Sequence, residues 1–83
     1  MPFVLSAYVL ISCDLGGEED VISELKTIEG IKEIFVTFGV YDILVKAEAE
    51  NIEILRDVII ERKIRKIPRL RSTLTLMTIA GQE

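Results

Sequence analysis

The chain has 83 residues, 49% of them hydrophobic, and a formal net charge of −4. That length fits one domain spanning 1–83, and the acidic balance argues against non-specific binding to nucleic acid or anionic membranes, which needs a basic footprint. A lone cysteine, Cys13, leaves no internal disulfide, and no apolar run reaches the ~20 residues of a membrane span.

The opening MPFVLSAYVLIS has no basic leader and no small-residue cleavage signal. A soluble, cytoplasmic protein is therefore expected. One Asn, one Gln and no His or Trp, set against abundant Ile, Glu, Lys and Arg, point to a thermophile source. From Phe3 to Ser12, Phe3, Leu5, Ala7, Val9 and Ile11 alternate with Val4, Ser6, Tyr8, Leu10 and Ser12, the pattern of a strand. Asp14-Leu-Gly-Gly breaks it. Glu18, Glu19 and Asp20 then place negative charge where a helix's first turn favours it. Val21, Ile22, Leu25 and Ile28 follow at helical spacing and Gly30 provides a stop, which predicts a helix over about 17–29.

Ile31 to Phe38 reads as a second strand with Ile34, Val36 and Phe38 on one face, and Tyr41 to Glu48 as a third with Ile43, Val45 and Ala47 aligned. Asn51 is the expected N-cap of a second helix, with Ile52, Leu55, Val58 and Ile59 as its buried arc and Pro68 marking its end. Leu70 to Ala80 is the last strand, with Leu70, Ser72, Leu74 and Leu76 opposed to Arg71, Thr73, Thr75 and Met77. The order is βαββαβ, the ferredoxin-like α+β arrangement, a four-stranded antiparallel sheet with two helices on one face. Tyr8, Leu10, Phe35 and Leu44 leave too much apolar surface on the other face for a lone chain. That face is expected to be an interface with a second copy, since oligomerisation is a standard remedy for a small core.

Catalysis is poorly supplied. No histidine is present, and no CxxC, HExxH, GxSxG or P-loop pattern occurs, so neither an enzyme nor a bound cofactor is expected. A metal site would have to be all carboxylate; the Glu18-Glu19-Asp20 cluster reads instead as solvated charge at a helix start, and no metal is expected. The basic run Arg62-Lys63-Ile64-Arg65-Lys66, continuing to Arg69 and Arg71, suits the end of a helix dipole, and pairing with the acidic helix of a neighbouring copy is its expected use. Direct DNA binding is not expected.

The stretch TFGVYDILVK predicts a two-residue hairpin loop, Gly39-Val40, with glycine supplying the positive φ of a type II′ turn. Asp42 is unusual in a strand. Either its carboxylate accepts backbone N–H groups and pins the turn, or it faces a ligand's ammonium group.

Gly39-Val40-Tyr41-Asp42-Ile43-Leu44-Val45-Lys46, then Ile67-Pro68, then Thr73-Leu74-Thr75, resemble the effector-binding RAM domain of the Lrp/AsnC transcriptional regulators, over residues 3–80. Arg69 stands where that family usually has glycine, and no helix-turn-helix segment is seen, so the likeness is to stand-alone members. The resemblance implies dimers with paired sheets that assemble into octamers or decamers, and an amino-acid effector bound between dimers. On the matching positions Gly39, Tyr41 and Asp42 would line that site, with hydroxyls from Thr73 and Thr75. It implies a transcriptional co-regulator or metabolic sensor, able to join the assembly of a full-length regulator. The rival readings are an enzyme of the dimeric α+β barrel type and a purely structural assembly module.

Overall fold

The structure, a computed structural model, describes residues 5–78, so Phe3, Val4 and the predicted end of the last strand at 79–80 lie outside the described residues. The elements are β1 (Leu5–Cys13), α1 (Glu18–Leu25), β2 (Ile31–Val36), β3 (Ile43–Ala49), α2 (Ile54–Lys63) and β4 (Leu70–Met77). The sheet order is β2-β3-β1-β4 and every pair is antiparallel, which is the ferredoxin-like topology. β1 carries no charged side chain, which suits a strand flanked on both edges. Its Ala7, Val9, Ile11 and Cys13 are buried with Ile43, Val45 and Ala47 of β3. Val21 and Leu25 of α1 and Leu55, Ile59 and Ile60 of α2 join the same cluster, so both helices cover one face.

α1 ends one turn before the predicted limit. The N–H groups of Thr27 and Ile28 reach only three residues back, to Glu24 and Leu25 carbonyls at 3.1 Å each, and Thr27 Oγ1 also donates to the Glu24 carbonyl at 2.7 Å. Such three-residue bonds tighten the last turn and end the α winding. The chain then passes through Gly30 at φ +101°. A Cβ there would lie 2.6 Å from Ile59 Cδ1 and 3.0 Å from the Glu48 carbonyl, so glycine is required by space as well as by backbone angle.

Two bulges reset the strand faces. In β2 the register slips between Ile31, opposite Ala47, and Glu33, opposite Lys46, which brings Ile31 and Ile34 to the same face. Phe38, expected on that face, lies beyond the end of β2 and is fully exposed. In β4 Leu70 stands opposite Cys13 but Ser72 opposite Ser12. Leu70 therefore shares the core face with Thr73 and Thr75, and its predicted grouping with Ser72, Leu74 and Leu76 is corrected by the irregularity at Arg71.

Asn51 caps the second helix as expected, its Oδ1 accepting the Ile54 N–H at 2.9 Å. The winding is not the expected one. α2 has π-type bonding, and at its end the Ile64 N–H is shared between Ile59 O, five residues back, and Ile60 O, four back. Five-residue spacing stacks Leu55 with Ile60 and Ile59 with Ile64, and all four are buried. Ile52, placed in the buried arc by a 3.6-residue period, is 47% exposed. A single tight turn, Ile64–Lys66, follows, and Ile67 is extended before Pro68 as the proline demands.

Candidate functional site

The β2–β3 connection sits at the end of the sheet where β1 finishes. The ladder stops at Val36 opposite Ile43, so the loop runs from residue 37 to 42 and the predicted two-residue hairpin is corrected. Thr37 closes it: its N–H donates to the Asp42 carbonyl at 2.8 Å and its Oγ1 to the Tyr41 carbonyl at 2.7 Å. Gly39 holds φ +135° with nothing within 4 Å of a built Cβ, so its glycine serves the backbone angle alone.

Asp42 is tied to β1. Its N–H donates to the Ile11 carbonyl at 2.8 Å, and its Oδ2 accepts the Cys13 N–H at 3.0 Å. The bonded N–H belongs to the neighbouring strand, so the carboxylate pins the loop to β1. The Cys13 thiol also points at Oδ2, 3.9 Å away. Burial first, then the negative Asp42, pushes that thiol's pKa up, so it stays protonated as a donor. Asp42 Oδ1 takes no hydrogen bond among the described residues. What the loop presents is one occupied and one free carboxylate oxygen beside an exposed glycine backbone.

Thr73 and Thr75, both partly buried, stand opposite Ile11 and Val9 on the far side of β1. Gly39, Tyr41 and Asp42 thus share one loop, with Thr73 about two strand spacings away, roughly 9.6 Å. β1 lies between the two groups, and a single chain does not wrap all five residues around one cavity. Two clefts lie elsewhere: one of about 690 Å³ at the opposite end of the sheet, and one of about 320 Å³ beside Asp20, Pro68 and Arg69.

The face away from the helices carries an ordered row. Phe35 stands opposite Leu44, Leu44 opposite Leu10, and Leu10 opposite Leu74, so all four strands contribute one large apolar side chain. Phe35 is 48% and Leu74 45% exposed. The adjoining row is Glu33, Lys46, Tyr8 and Leu76, and Lys46 Nζ pairs with Glu48 at 3.4 Å. An apolar stripe edged by charge is left uncovered.

Of the basic run, Arg65 pairs with Glu61 at 3.1 Å inside the same helical segment, and Arg69 reaches Asp20 of α1 at 2.8 Å. For these two, the expected pairing across a subunit boundary is corrected to pairing within the chain. Arg69 has φ +71°, a left-handed conformation that glycine adopts freely and arginine does not. Its carbonyl accepts the Asp14 N–H at 2.8 Å, and its side chain crosses Gly17, where a Cβ would come within 3.1 Å of Nε. Neither Cys13 as Asp42's partner nor Thr37 as the brace of the loop was evident from the sequence; both depend on strand register. Among the described residues no group of three or more His, Cys, Asp or Glu is arranged to hold a metal, and no helix is long and apolar enough to cross a membrane.

The family model described as the Lrp/AsnC ligand binding domain matches residues 6–80. The chain is 34% identical over 79 residues to homocitrate synthase of Saccharolobus solfataricus, covering 94% of this chain and 17% of that enzyme. It is 32% identical over 76 residues to an HTH-type transcriptional regulator of Pyrococcus furiosus, covering 88% of this chain and 50% of the regulator. The chain therefore spans half or less of the curated relatives it matches. The crystal structure of FFRP-DM1 superposes with a TM-score of 0.83 at 33% identity, covering 90% of this chain and 99% of that one. A feast or famine regulatory protein from M. tuberculosis complexed with L-methionine has the same fold, with a TM-score of 0.74 at 22% identity, covering 93% of this chain and 51% of that one.

Proposed function

This chain belongs to the Lrp/AsnC ligand binding domain family, and from that premise we propose that it is a non-catalytic, amino-acid-binding module that works as an oligomer. The observation that carries this reading is the state of Asp42. Its N–H, carbonyl and Oδ2 are engaged in holding the loop to the sheet, while Oδ1 takes no bond among the described residues. An anchored carboxylate with one open oxygen is a ready acceptor for an α-ammonium group. Tyr41 and the backbone at Gly39 flank it, and a second chain completes the pocket that one chain leaves open. The hydroxyls of Thr73 and Thr75 are proposed to serve the effector's carboxylate across that boundary.

The uncovered row Phe35–Leu44–Leu10–Leu74 supports pairing of two sheets into a dimer, and assembly of dimers would bring the Asp42 loops together. Regulation is suggested by the relatives: the curated regulator matches through half its length, and the M. tuberculosis protein is complexed with L-methionine. We propose that the module acts in the cytoplasm as a co-regulator or sensor, alone or within the assembly of a longer Lrp/AsnC regulator. The match to homocitrate synthase involves 17% of that enzyme, and this chain has no histidine to serve as a base, so a catalytic reading is not favoured.

Calorimetric titration with each of the twenty amino acids, paired with sedimentation of the same samples, tests the proposal. Binding of at least one amino acid, lost on Asp42→Ala while the assembly keeps its size, is the expected result. Absence of binding by all twenty would leave a purely structural module. Phe35→Lys together with Leu74→Lys should reduce the assembly to single folded chains; an unchanged sedimentation coefficient would rule out the open face as the dimer contact.

A further inference from the structure

We infer that the cleft between the α1–β2 turn and α2 is a second ligand site, contained within one chain, for a small zwitterion with an aliphatic side chain. The cleft measures about 690 Å³, inside the range of roughly 300–1,000 Å³ that small-molecule sites occupy. Ile28, Ile54, Val58 and Ile59 supply its apolar wall. Lys32 and Lys63 line it with positive charge, and Glu29 and Glu50 with negative charge. None of these four has an ion-pair partner among the described residues, while Glu48, the fifth charge on the lining, pairs with Lys46 at 3.4 Å. Charges of both signs, unpaired around an isoleucine wall, match a molecule carrying both signs on an aliphatic body. The carboxylate of an aliphatic α-amino acid would face the lysines and its ammonium the glutamates, with the side chain against the isoleucines.

Two features of the fold shape the cleft. Its wall at Gly30 is packed directly on Ile59, leaving no room for a Cβ. The π winding of α2 also sets Ile54 and Ile59, five residues apart, on the same side, where α winding would turn them to different faces. The site is separate from the Asp42 loop. Ala49 pairs with Leu5 at one end of the sheet and Ile43 with Ile11 at the other, and the six-residue step between them spans about 20 Å. The two sites are therefore too far apart to share one small ligand.

The test is a titration of the isotope-labelled full chain with L-leucine, followed by relaxation-optimised amide spectra. Saturable shifts at Gly30, Lys32 and Glu50 are expected, unchanged by Asp42→Ala. Lys32→Gln and Lys63→Gln, both exposed substitutions, should each weaken that binding by roughly tenfold, as loss of one charge-assisted contact does. Isovalerate and isopentylamine, each with one of the two charges, should bind more weakly than leucine by a similar factor. Shifts confined to the Gly39–Asp42 loop would overturn this second site while upholding the first. No saturable shift at the cleft amides, shifts there that disappear with Asp42→Ala, lysine variants that bind as tightly as the original chain, or isovalerate binding as tightly as leucine would also overturn it.

Discussion

Replacing Asp42 by alanine removes the acceptor for the Cys13 N–H, a bond of 3.0 Å to a residue that is only 5% exposed. Alanine leaves that part-buried amide without its side-chain acceptor. An orphaned buried donor costs about 1–3 kcal/mol, and because Asp42 itself is partly exposed the lower part of that range, about 1–2 kcal/mol, applies. In a domain of this size each kcal/mol moves Tm by roughly 4–8 °C, so Asp42→Ala should melt about 4–16 °C below the original chain. Asp42→Asn keeps an acceptor oxygen for Cys13 and should recover most of that loss, while still removing the negative charge proposed to hold an ammonium group. Circular dichroism melts at one fixed chain concentration measure this, because association would otherwise shift Tm. Equal Tm values for Asp42→Ala and the original chain would refute the claim that the carboxylate anchors the loop. If Asp42→Asn melted as low as Asp42→Ala, the effect would lie in charge and not in the hydrogen bond.

Arg69→Gly should be nearly neutral in urea unfolding: relief of left-handed strain, about 1 kcal/mol, offsets loss of an exposed Asp20 ion pair worth about 0.2–1 kcal/mol. Arg69→Ala keeps the strain and loses the pair, so it should fall below Arg69→Gly; the reverse order would refute the strain. Gly30→Ala should cost roughly 2–5 kcal/mol from backbone strain plus overpacking against Ile59, and Gly39→Ala only about 1–2 kcal/mol from strain in open space. Equal losses in the same assay would show that the Gly30 contact yields freely. The Cys13 thiol has its pKa raised in the fold, so its stabilising contribution is intact below its ordinary value of 9.0 and declines as pH rises beyond it. Relative to Cys13→Ala, the original chain should lose stability at up to about 1.4 kcal/mol per pH unit between that value and the raised one; a stability difference that does not fall as pH rises above 9.0 would refute the burial of the thiol.

Strand and helix order was legible because Val9, Ile11, Ile43, Val45 and Ala47 alternate cleanly and Asn51 and Pro68 bracket the second helix. The partner of each exposed residue was less so. Strand alternation assumes an unbroken ladder, and bulges at Lys32 and Arg71 reversed the face of the residues beyond them. Helical periodicity assumes 3.6 residues per turn, and π winding moved the buried arc from Ile52 and Val58 to Ile60 and Ile64. The importance of Asp42 could be read from its type beside a glycine turn, but not its bond to Cys13, 29 residues earlier, which only the pairing of β1 with β3 supplies. Arg69 was visible as an oddity at a turn; the Asp20 contact that holds its side chain depends on how α1 lies over β4.

The sheet order leaves β2 and β4 on the flanks, and they are guarded unequally. β2 opens with a bulge and the charged pair Lys32 and Glu33, which discourage a foreign strand from docking. From Ser72 to Met77, β4 has neither charge, proline nor bulge, so its outer backbone offers a regular run of amides and carbonyls with no strand partner among the described residues. In a crowded solution that flank, more than the apolar row, is where unwanted strand-to-strand growth of this chain would begin, and one lysine there should suppress it.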